Sequence, residues 1–202
     1  IGILQTNDGW SLFLSPIFSA VGHSDMMSLI NVQRITSIAI STFTIIPVYI
    51  LCRKVVISKY ALIGAGIFVF DPRLIENSIL GLTESLLLLL ISFMLVFALA
   101  KNKKSFLISF ILLALASIVR YEVLLLIIPL SIIFFLRFKN ERFLYLKYLL
   151  FICIFILILV PTATLRIDSN NTDGLTSHVF AEIKKSIEQP AGLIQNDPDV
   201  LN

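Results

Sequence analysis

The chain has 202 residues, of which 57% are hydrophobic and 14% are charged, and its formal net charge is +3. Soluble domains carry about 25% charged residues, so this composition excludes an ordinary soluble domain and predicts an integral membrane protein. A small net charge with a mean hydropathy of +0.95 indicates membrane lipids as surroundings and no nucleic acid as partner.

Residues 1–33 are predicted to form an extracytoplasmic juxtamembrane segment. Its apolar part between Ser11 and Val21 is about eleven residues long and contains Pro16, whereas a bilayer span needs about 20 residues. We therefore expect an interfacial or re-entrant N-terminal helix, with Trp10 at the membrane–water boundary. The chain starts at Ile1 without a Met, so we expect further sequence upstream.

Residues 34–167 are predicted to form a transmembrane helical domain, and residues 168–202 a polar extracytoplasmic tail or the start of a soluble domain. The fold class is thus an all-α membrane protein, a multi-span helical bundle with an interfacial N-terminal helix. Apolar segments that predict its helices cover residues 35–52, 61–70, 85–100, 105–119, 123–136 and 148–165.

The segment 61–70 is too short to cross, because ten helical residues reach about 15 Å, half of the hydrocarbon core. Asp71 and Pro72 follow it directly. Either the helix stops at this point, or it continues with a kink through Arg73 and Glu76. Charged residues beside a membrane span favour a functional site, whereas the simpler alternative is a solvated loop between two helices.

Lys and Arg residues alternate along the chain with the predicted crossings. Ten of the 16 basic residues fall in three connections, 53–59, 101–104 and 137–147, with Glu141 as the one acid among them. Since positive connections stay cytoplasmic, the other connections and the tail are predicted to face outward or into the lumen.

This topology gathers acids and arginines at the outer face. They are Asp71, Arg73, Glu76 and Glu84 at one junction, and Arg120 and Glu122 at the next. Arginine can hold a phosphate through paired hydrogen bonds, and a carboxylate can take a proton from an acceptor hydroxyl or hold a divalent cation. The structural alternative is a helix cap at Asp71, a snorkelling Arg73 and an exposed Arg120–Glu122 pair.

Four motifs also suggest a family. Asp-Gly-Trp at 8–10 precedes Leu-Phe-Leu-Ser-Pro-Ile-Phe at 12–18, Ile-Pro-Val-Tyr lies at 46–49, Gly-Leu-Thr-Glu at 81–84 and Arg-Tyr-Glu at 120–122. In this order they resemble the polyprenyl-phosphate-sugar-dependent membrane glycosyltransferases of the GT-C class, such as the dolichyl-phosphate-mannose–protein mannosyltransferases. The resemblance covers residues 7–165.

The resemblance implies transfer of a sugar from a polyprenyl phosphate to a protein or lipid acceptor on the extracytoplasmic face. Glu84 and Asp8 are then the catalytic candidates in this chain, although the family's principal acid is expected upstream of Ile1. Arg120, together with Arg73, Glu76, Asp71 and Glu122, is the candidate set for substrate binding. The resemblance requires no cofactor, a divalent cation stays an option, and no metal ligand is assigned.

Two other function classes fit the same composition. A transporter or flippase for an amphipathic anion would also use a broken helix with charges near it, although such a protein should carry an internal repeat. A non-catalytic membrane subunit that docks a partner through its tail is the other alternative. An acid in an outer loop upstream of Ile1 would favour the enzyme.

The predicted topology can be tested by cysteine labelling. Single cysteines at Lys103 and Asn171 should react from opposite sides of the membrane, because the positive connections stay inside. The measurement is modification by a membrane-impermeant maleimide in sealed, oriented vesicles, before and after permeabilisation. Reaction of both positions from the same side contradicts the arrangement.

Overall fold

The computed structural model describes residues 8–22, 26–100, 102–139 and 143–170, and it describes side chains for 9–22, 26–100, 102, 104–139 and 143–161. The chain divides into two units, residues 1–162 and 163–202. The tertiary contacts given below all lie in the first unit. Of the predicted polar tail at 168–202, residues 171–202 lie outside the described residues.

All described regular structure is helical. In chain order the elements are α1 (Asp8–Val21), α2 (Met26–Val55), α3 (Ser58–Val69), α4 (Pro72–Leu80), α5 (Glu84–Ala98), α6 (Lys103–Val119), a 3-10 helix η1 (Tyr121–Leu126), α7 (Ile127–Arg137) and α8 (Leu144–Asn170). The prediction of an all-helical chain is confirmed for this part. Two described helices, Met26–Val55 and Leu144–Pro161, are long and apolar enough to cross a membrane, and four shorter helices are apolar.

Helix α2 starts well before the apolar segment that predicts it. The helix begins at Met26, whereas the apolar run begins at Ile35. The residues between them include Asn31, Gln33 and Arg34 but no Gly or Pro, so nothing local interrupts the helix. A polar turn can extend an apolar helix beyond the membrane core, and hydropathy alone therefore underestimates its length.

The segment around Asp71 is a true helix break. Helix α3 ends at Val69, and α4 begins at Pro72 with Asp71 as its N-cap. The Asp71 carboxylate accepts a hydrogen bond from the backbone N–H of Arg73 at 2.9 Å. Proline at the first position of a helix has no N–H to leave unpaired. Of the two alternatives at this point, the stop is correct and the continuous kinked helix is wrong.

Two hydrophobic clusters hold the first unit together. The larger one is aromatic and lies among α5, α6, α7 and α8, with Phe106, Phe110, Phe134 and Phe151 buried in it. Ring centroids there are 5.4 Å apart for Phe106–Phe134 and 5.6 Å apart for Phe110–Phe151. Such pairs contribute about 0.5–1.5 kcal/mol each beyond the area that they bury. This cluster holds the helices of the C-terminal half of the unit against one another.

The smaller cluster lies where α1, α2, α5 and α6 meet. Trp10, Leu14, Ile40, Leu86 and Val119 are buried in it. Trp10 is only 6% exposed, so its ring packs inside the helical unit, and its place at the membrane–water boundary stays a prediction. This cluster lies directly beneath the ends of α5 and α6 that carry Glu84 and Arg120.

The opposite ends of these helices are basic. Arg137 at the end of α7 donates to the carbonyl oxygens of Ala98 and Leu99 at 2.8 and 3.2 Å. Lys54 near the end of α2 donates to Val96 O. These side chains satisfy carbonyl groups that the end of α5 leaves without a helical partner. The structure therefore brings two of the predicted positive connections, 53–59 and 137–147, to the same end of α5.

Gly9 allows α1 to contact the backbone of α6. A Cβ atom at this position would lie 2.6 Å from both the carbonyl oxygen of Ile118 and the Cα atom of Val119. Real Cβ atoms do not approach backbone this closely, so any side chain would push the helices apart. The start of α1, including the backbone of Asp8, consequently lies beside the end of α6.

We expect Gly9→Ala to destabilise the protein by about 1–3 kcal/mol, the usual cost of overpacking a closed contact. Gly66→Ala is the matched control, because Gly66 is also helical and a Cβ there meets nothing within 4 Å. The control should be neutral or stabilising by up to about 1 kcal/mol. The measurement is thermal unfolding of the two variants in the same detergent. Equal melting temperatures would contradict the close contact of α1 and α6.

Candidate active site

The turn between α4 and α5 positions Glu84. Gly81 has a left-handed backbone with φ 73° and ψ 33°, a conformation that glycine adopts without a Cβ penalty. The N–H groups of Gly81 and Leu82 donate back to the carbonyls of Ser78 and Asn77 at 3.2 and 3.1 Å, which is the hydrogen-bond pair of a Schellman motif. The chain thus reverses sharply and places Glu84 at the start of α5.

Helix α2 fixes this turn from the side. The Gln33 amide donates to the carbonyl oxygen of Gly81 at 2.8 Å. One helical turn further along α2, the Ser37 hydroxyl lies 2.9 Å from that of Ser85, and both residues are buried. Small hydroxyl side chains let two helices approach closely and link them by hydrogen bonds. The residue next to Glu84 is therefore anchored to α2.

Arg120 lies at a break between two helices, after the end of α6 and before the start of η1. Its φ of −144° and ψ of 120° are extended, and its N–H donates to Ala116 O at 2.9 Å. The sequence predicts a single helix over 123–136, but the chain forms η1 first and α7 only from Ile127. Pro129 then falls in the first turn of α7, where its missing N–H costs nothing.

The Gly81 turn and the break at Arg120 bring three of the predicted site residues together. Arg120 Nη1 lies 4.0 Å from Glu84 Oε1, and Arg120 Nη2 lies 3.3 Å from Glu122 Oε2. The side chains of Arg120 and Glu84 are 32% and 38% exposed, and that of Glu122 is 59% exposed. One guanidinium is therefore placed between two carboxylates at a half-open surface.

Asn77 also belongs to this cluster, although its residue type and sequence position alone do not predict a functional role. Its side-chain amide donates a hydrogen bond to Glu84 Oε2. The Glu84 carboxylate thus has Asn77 on one oxygen and Arg120 on the other. The signal for Asn77 is its place before the Gly81 turn, which folds two residues seven positions apart onto each other.

The structure separates the other candidates from this cluster. Asp71 caps α4, which is the structural alternative to a functional role for this residue. Arg73 and Glu76 are exposed on α4 and form no ion pair with another residue that the structure describes. The side chain of Asp8 lies outside the described residues, although its backbone starts α1 beside the end of α6.

The dipoles of α5 and α6 favour the charges of Glu84 and Arg120. Glu84 lies in the first turn of α5, and Arg120 follows the last residue of α6. An acid at an N-terminus and a base at a C-terminus each contribute about 0.3–1 kcal/mol, and an ion pair exposed to this degree about 0–1 kcal/mol. Replacing one of these residues should therefore cost little stability, so effects on chemistry can be separated from effects on folding.

Comparison with known proteins decides the family. The family model described as dolichyl-phosphate-mannose-protein mannosyltransferase matches residues 12–165. The chain belongs to this family. The match includes Asn77, Glu84, Arg120 and Glu122, and it supports membrane glycosyltransferase activity of the mannosyltransferase kind. No curated protein and no solved structure gives a significant match.

Proposed function

We propose that the chain takes part in transferring a sugar from a polyprenyl-phosphate donor to an acceptor on a protein or lipid, as a GT-C-like, multi-span enzyme. The observation that carries this proposal is the cluster of Asn77, Glu84, Arg120 and Glu122 at one end of the helices. Its position opposite the basic end supports an extracytoplasmic site. The family match supports the reaction class.

In this reaction the acceptor oxygen or nitrogen attacks the anomeric carbon from the face opposite the phosphate. The bond between that carbon and the phosphate oxygen breaks, and the polyprenyl phosphate leaves with the bonding electrons. The acceptor's proton goes to a carboxylate, which is general-base catalysis. Attack from the opposite face inverts the configuration at the sugar carbon.

Arg120 is proposed to hold the phosphate of the donor. Its guanidinium carries donors in a planar fork that matches two phosphate oxygens. Glu122 faces this fork at 3.3 Å and is well exposed, so it can turn into water when a phosphate takes its place. Charge that develops on the leaving phosphate is then stabilised by a donor already in position.

Glu84 is the carboxylate proposed to act on the acceptor side. Asn77 restrains one carboxylate oxygen, and the Gly81 turn fixes the backbone behind it. A side chain restrained in this way loses less freedom on binding and holds a hydroxyl in one direction. Glu84 also offsets the charge of Arg120 at Nη1, whereas Glu122 lies against Nη2.

We expect Glu84→Gln to lower turnover about tenfold or more, which corresponds to about 1.4 kcal/mol of transition-state stabilisation. Glutamine keeps the shape but cannot accept a proton or balance Arg120. Loss of a first-turn acid alone should cost only about 0.3–1 kcal/mol of stability. The measurement is sugar transfer from a polyprenyl-phosphate donor by purified full-length protein, with melting temperatures taken on the same samples.

Glu76→Gln is the comparison variant, since it removes an acid from α4 that the structure leaves outside the cluster. Its turnover should stay within about twofold of the parent, as is usual for an exposed position without a specific contact. Equal turnover of the parent and Glu84→Gln, at equal stability, would remove Glu84 from the site.

A further inference from the structure

A cavity lies at the basic end of the unit, between the end of α7 and the start of α8. Its volume is about 640 Å³, within the range of about 300–1,000 Å³ that is usual for ligand sites. It is lined by one charged residue among aromatic and aliphatic ones: Phe135, Lys139, Phe143, Leu144, Tyr145 and Leu146. Because Glu84 begins α5 and Arg137 contacts the other end of that helix, the cavity is separate from the candidate active site.

One wall of the cavity is held in place by aromatic packing. The ring centroid of Phe135 lies 6.0 Å from that of Tyr145 and 4.8 Å from that of Tyr148. The Tyr148 hydroxyl lies 2.8 Å from the hydroxyl of Ser131, one helical turn before Phe135 on α7. These contacts join α7 to α8 beside the cavity. A ligand therefore meets a wall that is already formed, which lowers the cost of binding.

The charge in the cavity is positive. Lys139 is exposed and forms no ion pair with another residue that the structure describes. Arg137, two residues earlier, donates to the carbonyl oxygens of Ala98 and Leu99, so its guanidinium is engaged with α5. In sequence the connection 137–147 carries four basic residues and one acid. The ammonium group of Lys139 consequently favours an anion in the cavity.

The apolar rim of the cavity indicates a lipid rather than a free anion. Phe143, Tyr145 and Leu146 are 74%, 78% and 65% exposed. Aromatic residues are enriched where membrane proteins meet the headgroups, and the cavity lies at the first residues of the apolar helix Leu144–Pro161, which is long enough to cross a membrane. Basic pockets between membrane helices are known to fit anionic headgroups. An amphipathic anion thus matches both the charge and the rim.

We propose that this cavity binds an anionic phospholipid of the leaflet on the basic side, with its phosphate at Lys139 and its acyl chains along Phe143 and Leu146. The hydroxyl of Tyr145, which also lines the cavity, can donate to a phosphate oxygen. Phosphatidylcholine binds less well, because its choline group adds a positive charge beside Lys139. This lipid site goes beyond the proposed function and does not depend on it.

The test compares two lipid probes on purified full-length protein in phosphatidylcholine nanodiscs. Phosphatidylglycerol and phosphatidylcholine, each with a photoreactive group near the glycerol end of the same chain, are added in equal trace amounts, and labelled peptides are mapped. The phosphatidylglycerol probe should label residues 143–146 about fivefold more, the usual effect of one basic side chain on an anionic lipid. Equal labelling by the two probes would show ordinary membrane lipid at this surface and overturn the proposal. This comparison needs no variant, so it does not depend on the folding of one.

Substitution of the lysine tests where the preference arises. Lys139→Gln should remove the preference for phosphatidylglycerol, and Lys139→Arg should keep it. Lys59→Gln is the matched control, since Lys59 is also an exposed lysine of a predicted positive connection, beside the exposed Tyr60, but does not line this cavity. The control should leave the preference at residues 143–146 unchanged. Equal losses in the two glutamine variants would indicate a general attraction of anionic lipid to the basic side and would overturn a site at Lys139.

Soluble competition separates a phospholipid from a free anion. Unlabelled phosphatidylglycerol should lower labelling by its probe, whereas inorganic phosphate should not, when chloride keeps the ionic strength constant so that screening is equal. Competition by inorganic phosphate would assign the cavity to a free phosphate and overturn the lipid assignment. None of these measurements uses sugar transfer, so failure of the lipid site leaves the proposed function standing, and the reverse also holds.

Discussion

The Glu84–Arg120 contact depends on two antiparallel helices meeting at one end. Helix α5 begins with the acid and α6 ends next to the base, so the dipoles of both helices favour the charges that they carry. Arg120 Nη1 and Glu84 Oε1 are 4.0 Å apart, which is within ion-pair range but too long for a hydrogen bond. In the proposed function, this arrangement leaves Arg120 available to an anion while Glu84 stays in place.

The surrounding structure supports this contact from both sides. Gln33 and Ser37 on α2 fix the turn before Glu84 and the residue after it. On the other side Gly9 lets α1 lie against the backbone just before Arg120. These contacts use small residues and single hydrogen bonds rather than a large core. They set the direction of two side chains at a half-open surface.

The sequence predicts a disturbance of the helix at Asp71–Pro72 because its signals are local, but it leaves open whether the helix stops or kinks there. An aspartate before a proline defines both the N-cap and the first turn of α4. The η1 helix was not predictable in the same way, since residues 123–136 show one apolar run with no breaker until Pro129. The early start of α2 was missed because hydropathy marks the apolar core of a helix and not its polar ends.

Of the site, Glu84, Arg120 and Glu122 could be predicted from charge and from resemblance, and the structure brings them together. Asn77 could not, because its contact requires the left-handed backbone at Gly81 to fold α4 back onto α5. Arg73 and Glu76 show the converse: they lie near the same junction in sequence, but α4 carries them to an exposed surface. Proximity along the chain is therefore a weak guide to this site.

The most direct measurement is a double-mutant cycle on turnover with Glu84→Gln, Arg120→Lys and the combined variant. Lysine keeps the charge of Arg120 but loses its paired donors. Residues that act as one unit are strongly non-additive, so the double variant should be about as slow as the slower single variant, with a coupling energy of about 0.5–3 kcal/mol. Losses that multiply in the double variant would show that Glu84 and Arg120 act independently and would contradict a shared reaction centre.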